Sequence, residues 1–435
     1  MGAPRSAHVW STFPEGLRMS NAVDPTTPPD TQLARTATVT ISIVVLAWFL
    51  DNVDRALVAF ALPVIGTEFS ATNTQLGLVV SGFTLSVALM KIPAGLLVDK
   101  FGPRRLLTVE LIAWAGFMVL IGFSSTLWGL IALRVVFGFA AGLMGVSTYK
   151  MVGERIIPRW RTVGSSSIMT ANLVAIAVVP LVVAPLMATQ AWRPLFMWAS
   201  LIGLVVAGYV WFFMPKPLPI ELREETKVSH DDDLSAWRLL RLPAVWRFGL
   251  LAALMNLITF GLFFWGPTYL IRERGVDPAS TGWMTSVAFG AMGVAVVGGS
   301  LLFDRVFSEK PRLLAAPALL VSSLLMIPMV LAETAENFVL FQTLALVFSG
   351  FADVTVIGTI MRRVPTRAIG AVMGVQGMGS FLGGFVSPLM IGYISDQLSF
   401  TAAFSVLIFT TALAALLFLA VKPDFLARRL EKVVV

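Results

Sequence analysis

Asp51, Asp54 and Arg55 interrupt an otherwise apolar run, "WFLDNVDRALVAFALPV". At 3.6 residues per turn the three fall within about a third of a helix circumference, and Asp51 and Arg55 are one turn apart. Counting about 1.5 Å per residue from Thr38 sets Asp51 roughly 20 Å into the run, too deep for a short carboxylate to reach either surface of a bilayer. Lys91, Arg134 and Asp353 lie inside other apolar runs. Arginine and lysine so placed can hold an anion. Arg55 can neutralise only one of its two neighbouring acids, so the other, Asp54 or Asp51, is a candidate to carry a proton, neutral in one state and ionised in another.

Bond-breaking chemistry has little to work with. There are no cysteines, and the two histidines, His8 and His230, sit in hydrophilic stretches. That leaves no HExxH zinc site, no thiolate metal site and no histidine for a hydrolase triad within the membrane. No GxxxxGK or strand–GxGxxG–helix context exists for a nucleotide. The expectation is a protein with no metal or cofactor that is not an enzyme.

These charges need elements to position them. The 435 residues are 57% hydrophobic and only 13% charged, with mean hydropathy +0.83, too apolar for a water-soluble core. Apolar runs at about 37–66, 73–98, 104–123, 126–150, 162–189, 194–214, 244–271, 279–303, 312–332, 337–361, 366–394 and 399–421 are each long enough to cross a bilayer about 30 Å thick. The predicted fold is therefore an all-α integral membrane protein of twelve transmembrane helices. Residues 1–36 read as a disordered tail and 37–214 as a first six-helix bundle. A charged linker follows at 215–243, then a second bundle at 244–421 and a short tail at 422–435. "MGAPRS" is an accidental match to a myristoylation signal, and Met19 is an alternative start. Most of the 32 lysines and arginines fall in the loops on one side, with Arg193, Arg272 and Arg274 on the other, which predicts that both termini are cytoplasmic. The formal charge of +7 thus reflects orientation rather than nucleic-acid binding.

The halves echo one another, "VDKFGPRRLL" against "FDRVFSEKPRLL" and "IIPRWRTVG" against "RRVPTRAIG". Such duplication places a binding site between the halves near mid-membrane. Each intramembrane charge costs about 2.5–3.5 kcal/mol on insertion scales, so six facing lipid would cost about 15–20 kcal/mol; they must face one another or a hydrated cavity. Bland roles stay open. Arg134 could be a helix-packing bridge to the first span, Lys91 could snorkel to the headgroups, and Asp353 could accept hydrogen bonds from Ser or Thr. Asn256, Gln376 and Ser380 could orient a substrate or bond between helices. Gly138, Gly142, Gly370, Gly374, Gly379 and Gly383 suit close helix approach, and Pro267 should interrupt the seventh span. Asp99 beside Lys100, Arg104 and Arg105, and Asp304 beside Arg305 and Arg312, are placed to tie adjacent helices together and gate the protein.

The run from Gly95 through Asp99, Lys100 and Gly102 to Arg104 and Arg105 resembles the loop between helices two and three of the major facilitator superfamily. Arg134 with Gly138, Ala140, Ala141 and Gly142 resembles its fourth-helix motif. Within that superfamily, "DNVDR", "KIPAG", "FFWGPTYL" and "FLGGFVSPLMIGY" look like the anion:cation symporters. The resemblance spans about residues 38–421. It implies two pseudo-symmetric six-helix bundles, Arg55 on the substrate's carboxylate and Asp54 in proton coupling. Three positions depart from the family pattern: Ala141 where a glutamate is common, Lys91 where glutamine is, and Asn52 where tyrosine is. The first two leave the cavity two units more positive than that pattern, favouring an anion and making the coupling ion less certain. The expectation is a carrier in a bacterial-type inner membrane that imports a small organic carboxylate (sugar acid, aromatic acid or dicarboxylate) with protons. Its partners are then the anion, protons and lipid, it binds no nucleic acid, and it is monomeric by superfamily default. An anion exchanger and a non-transporting sensor are the alternatives.

Overall fold

A computed structural model describes residues 30–189, 191–219, 222, 242–364 and 366–420. Most of the N-terminal tail, the middle of the linker and the C-terminal tail, with His8 and His230, lie outside the described residues. Among the described residues, twelve helical segments are long and apolar enough to cross a membrane. They are α1 (Asp30–Glu68), α2 (Asn73–Phe101), α3 (Pro103–Gly122), α4 (Leu127–Ala141) with α5 (Met144–Arg155), α6 (Pro158–Thr189) and α7 (Trp192–Phe213) in the first half. The second half holds α8 (Pro243–Arg272), α9 (Pro278–Leu302), α10 (Arg312–Val330), α11 (Ala335–Arg363), α12 (Thr366–Gln397) and α13 (Phe400–Ala420). Asp30 and Ala420 emerge at the same end of the bundle, called here the near end.

Three local features differ from the expectations. The first helix extends from Asp30 rather than from 37, because residues 30–36 contain no glycine or proline to stop it. Pro267 lies inside a continuous α8, whereas it is the fourth span that breaks, at Gly142 and Leu143 between α4 and α5. The eighth span ends in a π turn, Phe303–Phe307, that carries Asp304.

Helix starts at the two ends use different chemistry. At the far end Thr72, Thr126, Asp277 and Thr334 accept hydrogen bonds from the first turns of α2, α4, α9 and α11, satisfying amides that no intrahelical carbonyl reaches. Ser280 so bonded to Asp277 holds that exposed carboxyl below its ordinary range. At the near end proline opens α3, α6 and α8, with its fixed backbone angle and no amide to satisfy. Large apolar side chains such as Leu96, Phe212, Val294 and Phe409 are exposed around the outside, as lipid requires.

Glycine sets the closest packing. A Cβ at Gly379 would stand 2.0 Å from the Gly249 carbonyl oxygen and one at Gly383 2.3 Å from that of Ala253, so α12 lies directly on α8. Gly138 likewise meets the Phe83 carbonyl of α2, and Gly142 the side chain of Met90; Gly374, by contrast, has open space beside it. The halves touch from mid-membrane to the far end. Ser81 donates to the Phe385 carbonyl at 2.6 Å and Thr84 to that of Gly384 at 3.1 Å, both from α2 to α12. Arg272 reaches the Pro63 carbonyl at the far end.

Candidate functional site

Between the halves lies a cavity of about 490 Å³ that extends to Phe303 and Asp304 at the near end. Asn52 and Arg55 of α1 and Asn172 of α6 line it from one half. Asn256, Thr259 and Phe260 of α8, Asp353 of α11, and Gln376 and Ser380 of α12 line it from the other. Of the residues singled out by sequence, Arg55, Asn256, Gln376, Ser380, Asp353 and Asp304 therefore meet at one space. Asn172, Thr259 and Phe260 were missed, since an amide, a hydroxyl or a ring in an apolar run carries no signal by itself.

Arg55 pairs with Asp51 one turn earlier, Nη2 to Oδ2 at 2.8 Å, with side chains 21% and 12% exposed. The pair is out of hydrogen-bond alignment, and both Arg55 Nε and Asp51 Oδ2 lack a hydrogen bond. The guanidinium carbon stands 5.9 Å from the Phe260 ring centre of the opposite half, an attraction between cation and ring face. Asn52 donates to Asn172 at 3.0 Å and to the Trp48 carbonyl, fixing an amide cluster beside Arg55. On α12, Ser380 donates to the Gln376 carbonyl, and the Gln376 amide is 3.4 Å from the Ser380 hydroxyl.

Asp54 and Arg134 are elsewhere. Arg134 Nη1 lies 2.8 and 3.0 Å from the two Asp54 carboxylate oxygens, and the side chains are 1% and 2% exposed. Phe83 and Phe137 stack against the guanidinium. The pair joins α4 to α1, buried and away from the cavity lining. Asp353 faces the cavity from α11, and no ion pair or Ser/Thr hydrogen bond reaches it among the described residues.

Lys91 neither lines the cavity nor turns to the headgroups. Its ammonium sits 4.5 Å from the ring centre of Phe381, on α12 of the opposite half. The expected excess of positive charge is also offset: Glu110, a lone acid in the apolar "VELIAW" of α3, is only 4% exposed and feels the charges of Asp51 and Lys91. The first half thus sets Asp51, Asp54 and Glu110 against Arg55, Lys91 and Arg134. Glu110 was visible in the sequence by the same test that found Lys91.

The near-end acids find partners other than those expected. Asp99 takes Lys150 of α5 at 2.6 Å, not Lys100, Arg104 or Arg105, and Asp304 takes Arg362 of α11 at 2.9 Å, not Arg305 or Arg312. Arg104 instead donates to the Trp211 carbonyl and stacks on that ring, and Arg105 borders a groove between α3 and α7. Both ion pairs join helices of one half. A further tie between the halves lies at the far end, where the Asp396 carboxylate of α12 accepts from Asn73 N at 2.8 Å, Thr74 N at 2.7 Å and Thr74 Oγ1 at 2.6 Å, capping α2.

Residues 44–388 match the family model of the Major Facilitator Superfamily. The chain is 29% identical to a probable sulfoacetate transporter of Cupriavidus necator, over 84% of this chain and 89% of that one. It is 25% identical to a probable L-galactonate transporter of Escherichia coli, over 92% and 94%, and 24% identical to a hexuronate transporter of Bacillus subtilis, over 82% and 88%. Among solved structures it is similar to a bacterial homologue of the human lysosomal transporter Spinster in an inward-facing, unoccupied conformation. The TM-score is 0.75 at 16% identity, covering 92% of this chain and 98% of that one.

Proposed function

Since the chain belongs to the Major Facilitator Superfamily, a family of multi-pass membrane carriers rather than enzymes, we propose that it imports a small organic anion together with protons by alternating access. The near end is the cytoplasmic side of an inner membrane, and the cavity is the substrate site caught open to that side. The observation that carries this reading is Arg55: a guanidinium on the cavity wall, in a misaligned ion pair.

An entering carboxylate or sulfonate offers Arg55 aligned hydrogen bonds that Asp51 does not, and charge-assisted bonds of this kind are stronger than neutral ones. Asp51, once displaced, is left without its guanidinium partner behind the cavity wall, 12% exposed, where taking a proton is the least costly outcome. Anion and proton then enter as a neutral pair, which removes the electrostatic penalty of closing the site. The amides of Asn52, Asn172, Asn256 and Gln376 and the hydroxyls of Thr259 and Ser380 offer donors and acceptors to hydroxyl groups, which favours a sugar acid or a short functionalised carboxylate over a plain aromatic acid. The relatives named for sulfoacetate, galactonate and hexuronate transport fit that class. Binding therefore runs through Arg55, with Asp353 as a second acid facing the same space.

Exchange of one anion for another is the second reading, favoured by the burial of Asp54 against Arg134, where a proton would have to displace a paired guanidinium. Uptake into proteoliposomes decides between them. Symport predicts accumulation driven by an inward pH gradient without internal anion; exchange predicts accumulation driven only by internal anion. Failure to move any of sulfoacetate, galactonate, a hexuronate and muconate under either condition would reject carriage of this class.

A further inference from the structure

Glu110 and Lys91 form a second site of paired charge, outside the substrate cavity and unused by the mechanism above. Lys91 lies about 15 Å from the near end of α2 and Glu110 about 10 Å from that of α3, a difference in height that a lysine side chain spans. Yet the two make no salt bridge in this state, and Glu110 Oε2 is buried with no hydrogen-bond partner. The ammonium instead rests on Phe381 across the junction of the halves, with Gly145 beside it just after the break in the fourth span.

Other cations on the helices packed against α3 are engaged. Arg134 is held by Asp54, Lys150 by Asp99, Arg155 by Glu154 and Arg193 by Glu68. Lys100 lies over Phe101, and Tyr209 bonds to Ser42. The charged groups whose fields reach Glu110 are Lys91 and, from α1, Asp51. A buried carboxylate with neither a cation nor a hydrogen-bond donor is costly, so the side chain must hold either a proton or Lys91.

We propose that Glu110 is a second proton-binding residue of the transport cycle, and that Lys91 alternates between Glu110 of its own half and Phe381 of the other. With the far end open, Glu110 is a carboxylate paired to Lys91. A proton from water bonds to Glu110, the ion pair breaks, and the ammonium moves onto Phe381, clasping α2 to α12 near mid-membrane so that the far end stays shut. After the near end opens, the carboxyl returns its proton to water, and the carboxylate draws Lys91 back. The state seen here is the proton-loaded one before release. The site converts proton binding into facing, whereas Arg55 and Asp51 convert it into anion affinity.

The inference rests on the proposed anion symport, and two measurements separate them. In proteoliposomes, exchange of labelled sulfoacetate or galactonate reports the carrier alone, and accumulation under a pH gradient reports coupling. One pH unit should raise accumulation about tenfold per coupled proton, so Glu110→Gln should keep exchange and lose about tenfold in accumulation per unit. Wild-type protein that shows no exchange defeats the function itself, and Glu110→Gln with wild-type accumulation defeats only this inference. The second measurement uses the absence of cysteine from the chain. Ser81→Cys, buried between the halves, takes a thiol reagent only when the far end opens. Acid should lower but not abolish its labelling in wild-type background, Phe381→Leu should raise labelling in acid, and Glu110→Gln should hold labelling at that reduced, non-zero level at every pH, which slows exchange without stopping it. Labelling with the same pH dependence in all three backgrounds overturns the proposal.

Discussion

Two ion pairs of the same chemistry begin three residues apart on α1 and do different work. Asp54 and Arg134 are buried to 2% and 1%, with both carboxylate oxygens on one nitrogen and aromatic rings around them. Asp51 and Arg55 are 12% and 21% exposed and misaligned, with Arg55 on the cavity wall. Sequence position barely distinguishes them; which side of the helix meets the opposing half does. A sealed pair cannot exchange partners without stranding a charge, so it serves as framework. A partly exposed pair can exchange, which suits the site proposed above.

Breaking the dry pair should have the largest effect. Arg134→Met strands Asp54, and removing one partner of a buried pair costs about 3–5 kcal/mol, so the thermal unfolding midpoint in detergent should fall sharply. Adding Asp54→Leu should recover most of that loss. Arg55→Ala should leave the midpoint nearly unchanged and weaken anion binding about 10- to 100-fold, the equivalent of about 1.5–3 kcal/mol for hydrogen bonds to a charged group. Asp51→Asn sharpens the same comparison: with its internal competitor gone, Arg55 should bind the anion several-fold more tightly, and calorimetric titration should show little change in proton uptake on binding. Opening the far end comes next. Asp396→Asn weakens a helix cap, for which about 1 kcal/mol is typical, and should raise Ser81→Cys labelling about fivefold. The smallest effect is expected at Asp99→Asn, whose carboxylate is 74% exposed; surface pairs contribute about 1 kcal/mol or less, so transport and stability should both be close to wild type.

The spans were legible because a bilayer sets a minimum apolar length that few other constraints imitate. The intramembrane charges were legible because lipid penalises them, and by that rule Glu110 was as readable as Lys91. Partners were not, because they depend on which helices meet. Asp54 finds Arg134 eighty positions away, and Asp396 finds the start of α2 only because α2 and α12 lie together. The loop acids Asp99 and Asp304 illustrate the same limit. Their nearest basic residues in sequence were expected as partners, and basic residues on a neighbouring helix took the role. The break in the fourth span had no separate signature, since Gly142 reads equally as a packing glycine, which it also is.

Titration calorimetry of purified protein with sulfoacetate, galactonate, a hexuronate and muconate tests the anion site most directly, with wild type, Arg55→Ala and Asp99→Asn compared side by side. The account predicts one anion per chain, heat lost or affinity lowered about 10- to 100-fold in Arg55→Ala, and no change in Asp99→Asn. A folded Arg55→Ala protein that binds the anion as tightly as wild type would contradict it.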